Sequence, residues 1–371
     1  MKHISVLIKP ASSLCNIRCK YCFYADISSH REIRSYGKMS VRTTEKMIAN
    51  IFADLNEDDQ LTLTFQGGEP TLAGLSYFKH IVELVRQQCK KVTVHYALQT
   101  NGLLIDKTWC DFLRENKFLV GLSLDGTETL HDQNRVDAKG KGTFFKVMET
   151  RSLFEEYQID YNILCVLTSD LANQFKQVYQ FIQQENIRFI QFIPCLDDHS
   201  SIIPKDYALS PKEFEKFYLF ILDQWIIELE EGNYRSIKLF DDLLHLLIKG
   251  EVTACGILGN CQLQYVIEAD GSVYPCDFYV LDDYRLGFIQ ESSIRQLFNS
   301  QIAKKFVYEK KEQSSFCHNC PFKQMCQGGC KRMKDCMYVD KNGEMCGYQA
   351  LLKAFIPQVD KITEYLAKVK I

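Results

Sequence analysis

The chain has 371 residues, 46% of them hydrophobic, and a formal net charge of −3 from 44 Lys+Arg against 47 Asp+Glu. That length and apolar content suit one large domain with a smaller appendage, and without a basic excess neither nucleic acid nor an anionic membrane surface is an expected partner. No apolar run is long enough to span a bilayer, and Met1-Lys2-His3-Ile4 turns directly into a strand pattern with no secretion signal, so a cytoplasmic protein is expected.

Taken in chain order, the candidate strands are Ser5–Lys9, Leu61–Phe65, Val92–Leu98, Phe118–Leu124, Asp160–Leu167 and Phe189–Pro194. They are β-branched or aromatic and carry few charges, as strands covered on both faces should be. Helical patterns lie between them at Val41–Leu55, Leu75–Cys89, Thr108–Asn116, Thr143–Tyr157 and Leu171–Gln184. Alternation of this kind implies a parallel sheet in an α/β fold, and six such units suit a partial (β/α)6 barrel better than a closed eight-stranded one. Beyond Pro194 the pattern changes. Leu209–Glu231 reads as a helix capped by Ser210 with Pro211 in its first turn, and Ile237–Lys249 as another. Tyr265–Glu268, Asp270-Gly271 and Ser272–Pro275 read as a hairpin, and the tail Tyr348–Ile371 as mostly helix.

Polar signatures follow the strand ends. Gln66-Gly67-Gly68-Glu69-Pro70 follows the second strand, Gln99-Thr100-Asn101-Gly102 the third, and Asp125-Gly126 the fourth. Barrel-like α/β enzymes build their sites there, so the placement itself argues for a site. Taken singly, Gln99, Asn101, Ser123 and Asp125 are also ordinary turn formers or helix caps.

Sixteen cysteines are many for a reducing compartment, where clustered cysteines point to metal. Three lie near the start and nine between Cys255 and Cys346. Cys15-x3-Cys19-x2-Cys22 follows the first strand; three thiolates suit a [4Fe–4S] cluster with one iron left open to an outside ligand. Zinc with a fourth ligand such as His30 is the alternative at this motif. Cys255-x5-Cys261-x14-Cys276 and Cys317-x2-Cys320-x5-Cys326-x3-Cys330, followed by Cys336 and Cys346, suit either clusters or a pair of zinc ribbons. Cys89, Cys110 and Cys165 fall inside helix or strand patterns and read as buried small hydrophobes; Cys195, at the end of the last strand, reads the same way.

Cys15-Asn16-Ile17-Arg18-Cys19-Lys20-Tyr21-Cys22 resembles the signature of the radical S-adenosylmethionine (SAM) enzymes. Through Leu7–Ser12, Phe65–Gly74, Leu98–Gly102, Glu115–Gly126 and Tyr274–Leu281 the chain resembles one branch along nearly its whole length, the anaerobic sulfatase-maturating enzymes. The resemblance implies a radical SAM partial barrel over residues 1–235. A loop-rich SPASM-type iron–sulfur domain with a C-terminal helix would occupy 236–371. Three [4Fe–4S] clusters and SAM are the implied cofactors. Cys15, Cys19 and Cys22 hold the SAM cluster in this scheme. Cys255, Cys261, Cys276 and Cys330 hold one auxiliary cluster; Cys317, Cys320, Cys326 and Cys346 hold the other, with Cys336 competing for the last position. Gly67, Gly68 and Glu69 would meet the SAM amino group and Arg135 its carboxylate; Gln99, Asn101, Ser123 and Asp125, which end strands, would line the pocket. The arginine would otherwise be a solvated surface residue. Asp277 would be the general base toward the substrate, a role that composition alone would give to a turn aspartate, and Tyr24 and Gln66 would lie near the substrate.

The activity implied is oxidation of a Cys or Ser in a sulfatase to Cα-formylglycine. A 5′-deoxyadenosyl radical would take hydrogen from Cβ, Asp277 would take the thiol or hydroxyl proton, and an auxiliary cluster would accept the remaining electron. The implied partners are an unfolded or nascent sulfatase and a flavodoxin- or ferredoxin-type electron donor, with the enzyme a monomer. Two other readings stand beside this one. The substrate of the same chemistry could be a small ribosomally made peptide that is cross-linked or epimerised. Alternatively the chain is a non-catalytic electron carrier or zinc scaffold, against which the Gly-Gly-Glu-Pro stretch argues, since neither needs a SAM pocket.

Overall fold

The structure, a computed structural model, describes residues 2–199, 201, 203–311 and 313–368; the end of the predicted tail helix, 369–371, lies outside them. In chain order the strands are β1 (His3–Ile8), β2 (Ile17–Cys19), β3 (Gln60–Phe65), β4 (Thr93–Thr100), β5 (Phe118–Ser123), β6 (Arg135–Asp137), β7 (Tyr161–Leu167), β8 (Phe189–Pro194), β9 (Ser236–Ile237), β10 (Val266–Ile267), β11 (Ser272–Tyr274) and β12 (Gly287–Phe288). All six predicted strands are present, with no end shifted by more than two residues and Phe189–Pro194 unchanged. The chain divides into two compact units: Met1–Ser123 with Asn134–Tyr161 and Gln262–Glu309, and Leu124–Gln133 with Asn162–Cys261 and Lys310–Ile371.

In the first unit β1, β3, β4 and β5 run parallel, in register from His3↔Gln60 through Phe65↔Leu98 to Thr100↔Leu122. Alternate residues of β3, Leu61, Leu63 and Phe65, are fully buried, and Phe65 packs edge-on to Phe78 of the following helix at 4.9 Å. The predicted hairpin is β10 and β11, antiparallel through Val266↔Tyr274. It does not stand apart: β10 extends the parallel sheet at the edge of β1, Leu7↔Val266 and Ile8↔Ile267. A short antiparallel ribbon of β2 and β6 pairs Cys19 with Arg135.

In the second unit β7, β8 and β9 are parallel, Ile163↔Ile190 and Ile190↔Ile237. The helix Pro211–Glu230 carries Trp225, whose ring lies 5.1 Å from Phe240, itself 5.5 Å from Phe355 of the helix Gly347–Phe355. The predicted helix Leu171–Gln184 is two helices, Ser169–Asn173 and Phe175–Gln184. Asn173 turns its side-chain amide onto the Ser169 carbonyl, a local bond that competes with helix continuation, and Gln174 leaves helical geometry. Ile237–Lys249 likewise ends in a wider π turn, His245–Lys249, closed by Gly250 in the left-handed region.

Candidate functional site

The loop after β1 brings Cys15, Cys19 and Cys22 together in the first unit, each half-buried. Cys22 is also the N-cap of the helix Phe23–Ser29, its sulfur accepting from the Ala25 N–H. Burial pushes the Cys15 thiol up to about 11 and raises Cys22 as well. Donors already face the sulfurs: Asn101 Nδ2 approaches Cys15 Sγ at 3.9 Å and Arg135 approaches Cys19 Sγ at 3.8 Å. Arg135 is buried, with its guanidinium 5.4 Å from the Tyr21 ring. The solvated-surface reading of Arg135 is thereby overturned; the β2–β6 ribbon, which the sequence did not disclose, carries it inward.

The Gly-Gly-Glu-Pro stretch lies against the same loop. A Cβ at Gly68 would sit 2.1 Å from the Leu14 carbonyl oxygen and one at Gly67 2.6 Å from Lys9 Cγ, and both glycines have positive φ. Glu69 N–H donates to the Leu14 carbonyl at 2.7 Å. The close approach therefore serves the chain segment leading into Cys15. Glu69 is buried, and its carboxylate accepts four hydrogen bonds, only one of them at Oε2. Oε1 accepts from Thr71 N–H, Thr71 Oγ1 and Thr100 Oγ1 at 2.6–3.0 Å, and Oε2 from Asn101 N–H at 2.8 Å. Burial raises its proton affinity while these donors oppose the shift. Asn101 reaches Asn16 Oδ1 at 2.8 Å, and Gln99 and Ser123 sit half-buried at the carboxyl ends of β4 and β5. Asp125, in the second unit, accepts from the Val166 N–H at 2.9 Å and so anchors β7.

Asp277 lies in the first unit just past β11, 7% exposed, beside Cys276. Its N–H donates to Gln264 Oε1, and Gln66 Nε2 donates to its Oδ2 at 2.7 Å. An apolar wall stands beside it: Phe23 packs on Phe278 at 5.1 Å, and Tyr24, Ile27, Val266 and Val280 form one buried cluster. The sequence did not disclose the cation beside it. Lys9 Nζ, wholly buried, lies 2.6 Å from Asp277 Oδ1 and 3.7 Å from the Tyr24 ring centroid. The Tyr24 hydroxyl donates to Glu268, which also pairs with Arg31 at 2.7 Å. Tyr24 therefore presents its ring, with its hydroxyl committed inside the fold.

In the second unit Cys317, Cys320, Cys326 and Cys346 line one cavity, with Tyr348 and Gln349 on its wall. Four thiols converging on one apolar pocket suit a cubane cluster. Gln349 donates to Cys320 Sγ at 3.1 Å, and Cys346 caps the helix Gly347–Phe355. Cys336 does not line this cavity; it is buried and its thiol turns to the Met333 carbonyl. A Cβ at Gly256 would meet Cys330 Cβ at 3.0 Å, which places the Cys255-Gly256 turn against Cys330. Cys110, Cys165 and Cys195 are buried, as their sequence context suggested. Cys89 is exposed, because its helix ends at Arg86.

The radical SAM superfamily pattern matches residues 10–182, and an iron–sulfur cluster-binding (SPASM) domain matches 255–321. A cysteine-type anaerobic sulfatase-maturating enzyme of Clostridium novyi (strain NT) is 40% identical over 373 residues, covering 99% of this chain and 98% of that protein. One from Clostridium perfringens (strain ATCC 13124) is 43% identical over 337 residues, 90% of each. Among solved structures, native anSMEcpe with bound AdoMet and Cp18Cys peptide superposes with a TM-score of 0.89 at 39% identity, covering 98% of this chain and 99% of that one.

Proposed function

Since the chain belongs to the anaerobic sulfatase-maturating enzymes of the radical SAM superfamily, we propose that it oxidises a sulfatase cysteine to Cα-formylglycine. The observation that carries this reading is the placement of Asp277, held by Gln66 and Lys9, in the same unit as the Cys15–Cys22 loop. When bound, SAM and the cluster on Cys15, Cys19 and Cys22 supply the one-electron chemistry that removes hydrogen from the substrate's Cβ. Gly67, Gly68, Glu69, Gln99, Asn101, Ser123 and Arg135 hold SAM. Asp277 takes the thiol proton at a carboxylate oxygen, and Gln66 orients that carboxylate. Tyr24 walls the substrate side with its ring.

The auxiliary ligand sets are Cys317, Cys320, Cys326 and Cys346, supported by the cavity they line, and Cys255, Cys261, Cys276 and Cys330. Radical SAM functions belong to residues 1–235 and auxiliary-cluster functions to 236–371. The substrate is a peptide, specifically an unfolded or nascent sulfatase. Cysteine is preferred to serine because the relatives at 40% and 43% identity are cysteine-type. The electron donor is of flavodoxin or ferredoxin type, and the enzyme works as a cytoplasmic monomer.

The test is anaerobic turnover of a Cys-x-Pro-x-Arg peptide deuterated at Cβ. We expect formylglycine by mass and deuterium in 5′-deoxyadenosine. No mass change in that peptide, with cross-linking or epimerisation of a short peptide encoded beside the gene, would move the substrate to the ribosomal-peptide class.

A further inference from the structure

Lys9 directly follows β1, within the Leu7–Ser12 stretch, and the proposed chemistry gives it no role. Its side chain is wholly buried, a position an ammonium occupies only with compensation. The compensation is the Asp277 carboxylate, 2.6 Å from Nζ to Oδ1, and the Tyr24 ring at 3.7 Å. The approach is one of charge without hydrogen-bond alignment: among the described residues, neither Lys9 Nζ nor Asp277 Oδ1 has a hydrogen-bond partner. The other oxygen, Oδ2, is occupied by Gln66. Gly67 makes the room that the lysine stem occupies, since a methyl group there would come within 2.6–2.9 Å of Cγ, Cδ and Nζ.

Resting on the reading of Asp277 as the base, we propose that Lys9 is a positioning residue for this reaction. It fixes the Asp277 carboxylate by charge, with Oδ1 buried beside Nζ and without a hydrogen-bond partner among the described residues. The carboxylate so held, with Gln66 donating to Oδ2, is the group that receives the substrate's S–H proton. In that step the S–H bond breaks and an O–H bond forms on the Asp277 carboxylate, with no change in electron count. Lys9 gives up no proton.

The test uses the cluster-loaded enzyme with a Cys-x-Pro-x-Arg peptide and compares wild type, Lys9→Met, Asp277→Asn and the double variant. Lys9→Met should keep its iron content, its SAM affinity and its peptide KM within about twofold. Its kcat for formylglycine should fall on the order of ten- to a hundredfold, the usual loss when a reacting group is misplaced, while 5′-deoxyadenosine continues to form. Because Lys9 acts through Asp277, the double variant should be no slower than Asp277→Asn alone. Methylammonium should restore part of the activity of Lys9→Ala, and an equal concentration of methanol should not. A normal kcat in Lys9→Met, or a further loss in the double variant equal to the loss in the single one, would overturn the role. If Lys9→Met fails to fold, methylammonium rescue of Lys9→Ala decides, and its absence overturns the role. Wild-type enzyme that leaves the peptide unchanged would instead defeat the proposed function, which the wild-type arm reads separately.

Discussion

At Glu69 a single carboxylate accepts four hydrogen bonds, two of them from backbone N–H groups that cannot rotate away. Glu69→Gln places an amide N–H₂ against either Thr71 N–H or Asn101 N–H, donor facing donor. Each buried group left unsatisfied costs about 1–3 kcal/mol. Glu69→Gln should therefore lower thermal stability nearly as much as Glu69→Ala, and both should weaken SAM binding measured on cluster-loaded protein whose iron content is intact. Unchanged SAM affinity in both variants would remove Glu69 from the pocket. The cysteine motifs were legible in the sequence because ligand spacing is local: Cys15, Cys19 and Cys22 sit within one loop. Lys9 was not legible. A lysine before Pro10 reads as a polar strand end, and its burial is decided by Asp277 and Tyr24, which only the folded chain brings to it.

Elements with local punctuation were read well. Ser210-Pro211 announced the helix Pro211–Glu230, and the structure shows a full capping box in which Ser210 accepts from Glu213 N–H and Glu213 accepts from Ser210 N–H. Ser210→Ala should cost about 1 kcal/mol by denaturant titration, followed through the fluorescence of buried Trp225 on the same helix. Burial pushes the Glu213 carboxyl up, but hydrogen bonds from Ser169, Ser210 and Asn173 outweigh it and hold the group below its ordinary range. A depressed folded value means the stabilisation is present above the unfolded value, about 4.3, and is lost as pH falls through the folded one. Glu213→Gln should thus be less stable than wild type at pH 7, with the gap closing below about pH 4. A gap that stays constant with pH would show that the charge of Glu213 contributes nothing. The β2–β6 ribbon was illegible because three-residue strands carry too little pattern, and the break at Gln174 because a periodic apolar stripe continues across it.

For the molecule as a whole, three cubane clusters predict about twelve iron and twelve sulfide per chain, whereas zinc ribbons would hold about one metal per site and no sulfide. Replacing Cys15, Cys19 and Cys22 together by Ala should leave about eight iron and no SAM cleavage; retained cleavage would exclude that loop as the SAM cluster's site. Cys346→Ala should lose cluster absorbance and Cys336→Ala should not, because only Cys346 lines the cavity. The alternation of strands and helices made the fold class readable. It could not reveal that residues 262–309 pack with the first strands, since pairing between β1 and β10 leaves no trace in local sequence.

That pairing bears on how the chain is made. Translation produces β1 long before β10, and one of its edges stays unpaired until Val266 and Ile267 leave the ribosome. At about 5–20 residues per second the wait lasts on the order of tens of seconds, and throughout it an apolar strand edge stands open to wrong partners. Contacts so distant in sequence also close slowly. A nascent chain of this kind has reason to depend on chaperones until its later half arrives, and fragments cut before β10 should be prone to aggregate.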